Sequence, residues 1–409
     1  MRVLQIIPSI ALVYGGPSQM VLELSRSLAQ QGVEVTILTT NANGDAGQPP
    51  LDVPLDRLVT KNGYKIRYFP CAPFRRYKFS LGLVRWLNQH AGEYDLAHLH
   101  ALFSPVISAA ATVAKVRNLP YILRPLGTLD PADLRKKKQL KQIYAAVWER
   151  GNIAGAAALH FTSTQEAKVS ERFGLKTRDL VIPLGVDADS LDSRERSPGV
   201  SANESAGDRT LAPETARERL GIPRDRPLVL FLSRIEPKKG LSLLFPALEQ
   251  LLAEGLDFHF VLAGSNPQDP EYESKMRSQI QASPLASRTS ITGFVTGAFK
   301  ASLLREADLF VLPSFYENFG IAVAEAMAAV TAVCISRGVY IWEDVRDASA
   351  GWVCDTEVDS LVGILREAIQ NPEQCRLRGI NGRALAGQSY SWQAIGQQTI
   401  QAYREILGR

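Results

Sequence analysis

The sequence is poor in cysteine. Its 409 residues include four, Cys71, Cys334, Cys354 and Cys375. They are scattered, with no C-x-x-C and no spacing typical of metal ligands. Isolated thiols in so long a chain predict a reducing compartment and argue against a disulfide framework.

Long apolar runs are absent as well. No stretch of about 18 apolar residues occurs, so no membrane-spanning helix is predicted. The first eight residues are too short and too broken by polar side chains to act as a signal peptide. No G-x-G-x-x-G follows the first predicted strand, which counts against a nicotinamide enzyme. We therefore expect a cytoplasmic protein.

The charge is unevenly distributed along the chain. Residues 1–186 hold 23 Lys and Arg against 13 Asp and Glu, whereas the remainder holds 23 against 29. The basic half is a candidate for anionic partners, and charge alone leaves phospholipid, polyisoprenyl phosphate and nucleic acid open.

Both halves of the chain alternate short apolar strands with amphipathic helices. This alternation predicts an α/β protein of two doubly wound parallel sheets, each covered by helices on both faces. We predict domains over 1–187 and 213–388, with a flexible linker over 188–212 because those residues include almost no large apolar side chain. Residues 389–409 are predicted to form a final helix, residues 43–60 a loop, and Ser163 to open a helix that reaches Phe173.

The chain is organised around residues 313–328. A buried strand over 308–312 is followed by a turn containing Gly320 and by an Ala-rich helix from Ile321. A turn that delivers the chain to a helix N-terminus favours anions, because backbone N–H groups and the helix dipole point to one place. Glu317 lies in the turn and Glu325 in the helix. Taken singly, each glutamate could equally be a solvated residue at an ordinary strand–helix junction.

The complete pattern is more specific. Pro-Ser-x-x-Glu-x-Phe-Gly-x-x-x-x-Glu-Ala-Met-Ala, with Glu317 and Glu325 separated by seven residues, resembles the signature of the family 4 glycosyltransferases. The resemblance implies a GT-B fold, in which two Rossmann-like domains face each other across a cleft and the final helix crosses back to the first domain. It also implies transfer with retention of anomeric configuration, by front-face displacement in which the departing phosphate accepts the acceptor's proton.

The resemblance also implies roles for individual residues. Arg234 and Lys239, in Arg-Ile-Glu-Pro-Lys-Lys-Gly, match the family's Gly-Arg-Leu-x-x-x-Lys-Gly except that Ser233 replaces its Gly. An Arg fork and a Lys point charge suit a leaving diphosphate, and these two with Glu317 are the predicted catalytic residues. Glu325 would bind the donor's ribose. The other predicted donor contacts are Gly15, Gly16, Gly264, Val295, Asn318, Phe319 and Gly320.

Neither a metal nor a cofactor is implied. No Asp-x-Asp lies where a cation could bridge the donor phosphates, and the donor would be a UDP-, GDP- or ADP-sugar. For the Gly15-Gly16 pair alone, an ordinary turn is as good an explanation as a close approach to phosphate.

The sequence departs from the family pattern in the first half. Relatives often carry a His before Gly127 that contacts the donor sugar, and here the residue is Leu126. Arg124 could replace it in the wall that faces the sugar or the acceptor, or the alignment could shift by two residues. His100, which ends a predicted strand, could also line this cleft. Both strand histidines, His98 and His100, could equally be satisfied by backbone groups. In the second half, Val330 and Ala332 stand where relatives have Gly and Pro, which predicts only a local turn difference.

A basic segment follows the predicted sugar wall. Its cations alternate with leucine and aromatic side chains, which suggests an anionic membrane surface or a phosphorylated lipid. A solvated helix face is the alternative. The segment contains Arg135, Lys136, Lys137, Lys138 and Lys141, and Arg75, Arg76 and Lys78 would assist.

The sequence thus predicts a retaining, metal-independent glycosyltransferase that moves a sugar from a nucleotide sugar to a glycan or lipid-linked hydroxyl, in cell-surface polysaccharide synthesis. It would lie in the cytoplasm or peripherally on the cytoplasmic membrane face, with no nucleic acid as partner. A sugar-nucleotide epimerase of the same fold and a non-catalytic sugar-nucleotide-binding protein are the alternatives.

Overall fold

The computed structural model describes residues 1–44, 48–72, 77–135, 138–187 and 214–409. These residues form two compact units. Unit 1 comprises Met1–Gly185 and Trp392–Arg409, and unit 2 comprises Val186–Ser391. The predicted linker over 188–212 lies outside the described residues.

Unit 1 is built on an eight-stranded sheet of order β3-β4-β2-β1-β5-β6-β7-β8. The sheet is parallel except for β3, which pairs antiparallel with β4 at the edge. The order reverses beside β1, which pairs with both β2 and β5. The strands are β1 Arg2–Ser9, β2 Glu34–Thr40, β3 Leu58–Lys61, β4 Tyr64–Phe69, β5 Leu96–His100, β6 Tyr121–Arg124, β7 Ala158–Phe161 and β8 Asp179–Val181.

Unit 2 is built on a six-stranded parallel sheet of order β11-β10-β9-β12-β13-β14. Here the order reverses between β9 and β12, and ligands of doubly wound sheets bind at the carboxyl ends of the strands beside such a point. The strands are β9 Leu228–Leu232, β10 His259–Ala263, β11 Thr289–Gly293, β12 Leu309–Leu312, β13 Ala332–Ser336 and β14 Gly351–Cys354.

Helices cover the sheets. In unit 1 they are α1 Gly16–Gln30, α2 Leu81–His90, α3 Pro105–Val116, α4 Pro131–Leu134, α5 Lys138–Tyr144, a π-helical turn Ala145–Glu149, α6 Arg150–Gly155, α7 Thr164–Val169 and, after unit 2, α16 Trp392–Leu407. In unit 2 they are α8 Ala216–Leu220, α9 Leu241–Ala253, α10 Pro270–Gln281, α11 Gly297–Glu306, α12 Ile321–Ala328, α13 Trp342–Asp347, α14 Val358–Gln370 and α15 Pro372–Ser389. In the described ranges, none combines the length and the hydrophobicity of a membrane span.

The core of unit 1 lies on both faces of its sheet. Along β1, Val3 and Ile7 join one apolar cluster while Leu4 and Ile6 join the other, as expected when successive side chains point to opposite faces. Two-sided burial is typical of parallel sheets flanked by helices. The predicted pair of Rossmann-like parallel-sheet domains is confirmed.

Two local predictions are wrong. The loop predicted over 43–60 contains the start of β3, whose residues are largely exposed and carry no apolar period that could have revealed a strand. The helix predicted to reach Phe173 ends at Val169, because Ser170 is extended and Phe173 adopts a left-handed conformation with φ of 54°.

Candidate active site

The candidate site lies in unit 2 at the carboxyl edge of the sheet, where β9 and β12 are neighbours. The loop after β9 and the loop after β12 are held against each other. The Phe315 N–H donates to the Lys238 carbonyl at 2.8 Å. Gly240 has φ of 76°, and a Cβ there would lie 1.9 Å from the Pro313 carbonyl oxygen. A side chain at this position is therefore excluded by both conformation and space.

Lys239 and Glu317, one from each loop, form an ion pair. Both side chains are largely buried, with 10% and 19% of their surfaces exposed. Burial alone would raise the pKa of Glu317, but the positive charges of Lys239 and Lys238 outweigh it and lower that pKa below its ordinary value. Glu317 is consequently a carboxylate that can only accept hydrogen bonds.

Two further charged residues, which the sequence prediction missed, complete the cluster. Glu236 accepts from Arg234 Nη1 at 2.7 Å, and its second oxygen lies 3.9 Å from Lys238 Nζ. Burial lowers the pKa of Lys238, and the like charges of Lys239 and Arg234 act in the same direction. The side chain of Arg234 is 56% exposed. Three cations thus surround two carboxylates at one edge of the sheet, leaving a net positive charge.

The backbone of Glu317 is fixed by the segment after β13. The Glu317 N–H donates to the Gly338 carbonyl at 2.7 Å, and the Glu317 carbonyl accepts from the Tyr340 N–H at 2.9 Å. Gly338 approaches so closely that a Cβ would lie 2.1 Å from the Ser314 carbonyl oxygen. The carboxylate is therefore presented from a braced turn.

The chain then enters α12. Asn318 is half-buried, and Phe319 packs edge-on against Tyr390 with ring centres 5.1 Å apart. Gly320, with φ of 81°, precedes the first turn of the helix. Glu325 lies in the helix, and Lys300 of α11 donates to its Oε1 at 2.7 Å. The sequence prediction missed Lys300, because nothing in local spacing links residues on two different helices.

The neighbouring strands add two predicted residues to the same edge. Gly264 follows β10, with φ of 133°, and a Cβ there would lie 1.9 Å from the Ser233 carbonyl oxygen. Its N–H donates to the Gly293 carbonyl at 2.7 Å. Val295 follows β11 and is half-buried, beside Phe294, which is 77% exposed. Arg234, Lys239, Gly264, Val295 and the 317–320 turn therefore come from four adjacent strands.

The remaining predicted residues belong to unit 1. Gly15, with φ of 67°, precedes the first turn of α1, and Gly16 is the first residue of that helix. Their contact with donor phosphates stays a prediction. Leu126, which stands at the position of the family's His, has the left-handed φ of 56°.

His100 and Arg124 are buried inside unit 1, with 0% and 2% of their surfaces exposed. His100 Nε2 lies 2.6 Å from Gln5 Oε1, a side-chain amide and not a backbone group, while its buried Nδ1 contacts no hydrogen-bond partner. Arg124 Nη1 lies 2.9 Å from Met20 Sδ, while its Nε and Nη2 contact no hydrogen-bond partner. This burial does not support the expectation that either side chain forms a wall facing sugar or acceptor.

Only part of the basic segment lies within the described residues. Lys136 and Lys137 lie outside the described residues, as do Arg75 and Arg76. Arg135 and Lys138 are exposed, and Lys141 Nζ pairs with Asp133 at 2.7 Å. Within the ranges that the structure covers, no group of three or more His, Cys, Asp or Glu side chains is placed to hold a metal ion.

Comparison with known proteins agrees with this architecture. Two family models match, "Glycosyl transferase 4-like domain" over residues 15–185 and "Glycosyl transferases group 1" over residues 213–385. The first match lies within unit 1 and the second within unit 2. Among solved structures, sucrose-phosphate synthase from Thermosynechococcus elongatus has a TM-score of 0.71 at 21% identity. The alignment covers 100% of this chain and 99% of the synthase chain. Anabaena HepE, solved with UDP and glucose, has a TM-score of 0.70 at 20% identity, and the alignment covers 99% of this chain and 100% of the HepE chain.

Curated relatives align over nearly the whole chain. D-inositol 3-phosphate glycosyltransferase from Xylanimonas cellulosilytica is 27% identical and covers 97% of this chain and 93% of that protein. Phosphatidyl-myo-inositol mannosyltransferase from Mycobacterium tuberculosis is 28% identical, and the alignment covers 100% of this chain and 98% of that protein. The fold is therefore the GT-B fold of glycosyltransferases. The chain belongs to the family 4 glycosyltransferases, as its sequence motifs predicted.

Proposed function

We propose that this glycosyltransferase transfers a sugar, with retention of anomeric configuration, from a nucleoside diphosphate sugar to a hydroxyl of a glycan or glycolipid. The observation that carries the proposal is the cluster of Arg234, Lys238 and Lys239 beside the ionised Glu317, at the carboxyl edge of the unit 2 sheet. A diphosphate concentrates negative charge, and a net positive cluster on a rigid edge complements it.

Each residue of the cluster then has a distinct role. Arg234, which is 56% exposed, can form paired hydrogen bonds with phosphate oxygens. The Lys239 ammonium group pairs with Glu317, and it would also contact the diphosphate when the donor binds. Glu317, as an obligate acceptor, would take hydrogen bonds from donor-sugar hydroxyls.

Glu325 is proposed to bind the donor's ribose. Lys300 donates to one of its two oxygens at 2.7 Å, and this contact orients the carboxylate. A carboxylate so oriented can accept hydrogen bonds from a vicinal diol. Gly264 and Val295, at the ends of β10 and β11, would line the base.

The proposed reaction needs no protein nucleophile. The acceptor oxygen bonds to the anomeric carbon on the face from which the phosphate departs. The electron pair of the breaking carbon–oxygen bond stays on the phosphate, and the acceptor's proton moves to a phosphate oxygen. Arg234, Lys238 and Lys239 would stabilise the charge that grows on the diphosphate, a role that a divalent cation plays in other sites.

The acceptor class follows from the relatives. Their names specify D-inositol 3-phosphate and phosphatidyl-myo-inositol as substrates of those proteins. We propose a hydroxyl on a phosphorylated or lipid-linked polyol for this chain, in cell-surface glycan synthesis on the cytoplasmic face of the membrane.

The test is turnover of UDP-, GDP- and ADP-sugars with the anomeric configuration of the product read by NMR. We expect one base to be preferred, retention of configuration, and full activity in EDTA. Arg234→Ala should abolish most turnover, while Arg224→Ala, at an exposed position outside the cluster, should not. An inverted product, or an epimerised nucleotide sugar with no transfer, would contradict the proposal. Activity lost in EDTA and restored by Mg²⁺ or Mn²⁺ would contradict its metal independence.

A further inference from the structure

One helical segment of unit 1 exposes an unusual amount of apolar surface. Leu140, Ile143, Val147 and Trp148, here called the apolar row, are 63%, 64%, 61% and 49% exposed. They lie within nine residues of one continuous helical path that runs through α5 and the π-helical turn. Single exposed apolar residues are ordinary, but a contiguous set marks a contact surface.

The apolar row cannot turn inward, because the opposite side of the segment is fixed. Tyr144 Oη lies 2.9 Å from Ser108 Oγ. Glu149 is buried and accepts from the Phe103 N–H at 2.7 Å and from Ser108 Oγ at 2.9 Å. Asn152 donates to the Ser108 carbonyl at 3.2 Å. These contacts determine which side of the helix faces outward.

The π-helical turn Ala145–Glu149 contributes to the exposure. A π-turn places one extra residue in a turn of helix, and such turns are frequent at functional sites. Here the buried residues Ala145 and Glu149 bound the turn, so Val147 and Trp148 bulge outward between them.

The helical segment that carries the apolar row also carries cations. A cavity of about 490 Å³ opens on the same segment. Among the described residues that line it, the cations are Arg135, Lys138, Lys141 and Arg150, and Glu171 is the one acidic residue. Lys141 is paired with Asp133.

We propose that this segment is a docking surface for an anionic lipid bilayer. The apolar row enters the boundary between headgroups and acyl chains, with Trp148 at the interface, and the cavity's cations contact lipid phosphates. The charge decides in favour of lipid over a protein partner, since exposed apolar side chains flanked by Lys and Arg are the pattern of helices that lie in the membrane interface. The basic residues alone would give a membrane affinity that salt weakens. The apolar row adds a contribution to this affinity that salt does not screen.

The experiment is co-sedimentation of the full chain with vesicles of phosphatidylcholine, with and without phosphatidylglycerol, at low and high salt. Neither sugar donor nor acceptor is present, so the outcome is independent of the proposed sugar transfer. The row variant is Leu140→Ser with Ile143→Ser and Val147→Ser. Its matched control is Leu377→Ser with Ile380→Ser, which removes side chains that are each 46% exposed on α15 of unit 2. The charge variant is Lys138→Glu with Arg150→Glu.

We expect the wild type and the control to bind phosphatidylglycerol vesicles, more weakly at high salt but measurably. The row variant should bind about tenfold or more weakly and lose the salt-resistant part entirely. The charge variant should lose the preference for anionic lipid. Tryptophan emission should shift to the blue on binding, and Trp148→Phe should reduce that shift.

Three results would overturn the proposal. They are a row variant that binds like the wild type, equal binding of the wild type to both vesicle types, and a wild-type dimer in solution that the row variant dissociates. The last would assign the surface to a second copy of the chain. If the row variant precipitated, the Trp148→Phe emission change would still decide whether this side chain enters the bilayer.

Discussion

At the residue scale, the proposed roles predict two kinds of binding energy, one that is greater in the transition state and one that is equal in the ground and transition states. In the proposed reaction, Arg234 and Lys239 would face a diphosphate whose charge grows as the sugar leaves, so they should bind the transition state more tightly than the ground state. Glu325 would face a ribose that does not change during the reaction, and its contribution should be equal in both states.

We therefore predict a division in steady-state kinetics. Arg234→Ala and Lys239→Ala should lower kcat by about 10²-fold, and Glu317→Ala should behave like them because it orients the reacting sugar. Glu325→Ala should chiefly raise the donor KM, since a hydrogen bond to a charged group contributes about 1.5–3 kcal/mol. The assigned roles would be wrong if Glu325→Ala changed kcat alone while Arg234→Ala changed only KM.

A second residue-scale feature is strain at Val330. The α12 helix ends in a Schellman arrangement, in which the Thr331 N–H donates to the Ala326 carbonyl at 2.9 Å and the Val330 N–H to the Met327 carbonyl at 3.0 Å. This arrangement requires a left-handed residue, and Val330 supplies φ of 68° although it is β-branched. The sequence analysis predicted only a local turn difference here. It did not predict that Val330 adopts the left-handed conformation that is typical of glycine.

Val330→Gly should accordingly stabilise the protein. Relief of the left-handed strain contributes about 1–2 kcal/mol, and the greater freedom of glycine in the unfolded chain offsets about 0.4–1 kcal/mol of it. The urea midpoint should rise with an unchanged slope. Val330→Ala, which keeps a Cβ, serves as the control and should gain less. A lower midpoint for the glycine variant would show that Val330 contributes packing that exceeds its strain.

At the element scale, α15 lies unusually close to the end of α12. A Cβ on Gly379 would lie 2.0 Å from the Val330 carbonyl oxygen, whereas one on Gly387 of the same helix would meet nothing within 4 Å. Gly379 is therefore required by the close packing of two elements and Gly387 is not.

This contrast gives a matched pair of variants. Gly379→Ala should destabilise unit 2 by about 1–3 kcal/mol because overpacking forces the backbones apart. Gly387→Ala should stabilise the helix by about 0.5–1 kcal/mol, the ordinary advantage of alanine over glycine. Thermal midpoints measured side by side test the pair, and similar shifts in both variants would contradict the packing argument.

The elements also show which parts of the fold the sequence could reveal. The buried strand β12 and the start of α12 were predicted to within a residue, because burial and turn residues leave local patterns. The edge strand β3 leaves none. The Lys300–Glu325 pair and Glu236 were missed, since side chains meet there through tertiary packing. That His100 could line the cleft stays a prediction, because the strand pattern does not show what covers its face. Tyr403, about 300 positions away, helps to cover it, with its hydroxyl 2.8 Å from His98 Nδ1.

At the scale of the whole molecule, unit 1 buries a histidine network with an arginine beside it. His98 Nε2 lies 3.1 Å from His160 Nδ1, and the rings of His98 and His100 stack with centres 4.5 Å apart. Burial first, and then the charge of Arg124, lower the pKa of His98 and His160 well below 6.5, and the neighbouring rings add to the same effect on His100. Glu166 partly compensates the charge of Arg124.

The stability of the protein should therefore depend on pH. The folded chain holds these rings neutral while the unfolded chain binds protons near pH 6.5, so the unfolded state takes up more protons as the pH falls. The free energy of unfolding should be constant above that pH and fall below it, by up to about 1.4 kcal/mol per pH unit for each ring.

Urea unfolding between pH 7.5 and 5.5 measures this dependence. His160→Gln should reduce the slope against pH, while His90→Gln, on the half-buried α2 surface outside the network, should leave it unchanged. Equal slopes in the two variants would contradict the assignment.

The placement of Trp392–Leu407 with unit 1 has a consequence for biosynthesis. Unit 2 is contiguous in sequence and can fold as soon as the ribosome has released it. Unit 1 cannot, because α16, which supplies Tyr403 to the histidine network and accepts a hydrogen bond from Ser27 at the Trp392 carbonyl, is translated after all of unit 2. The domain that is synthesised first is thus completed last, and the face that α16 covers stays exposed until then.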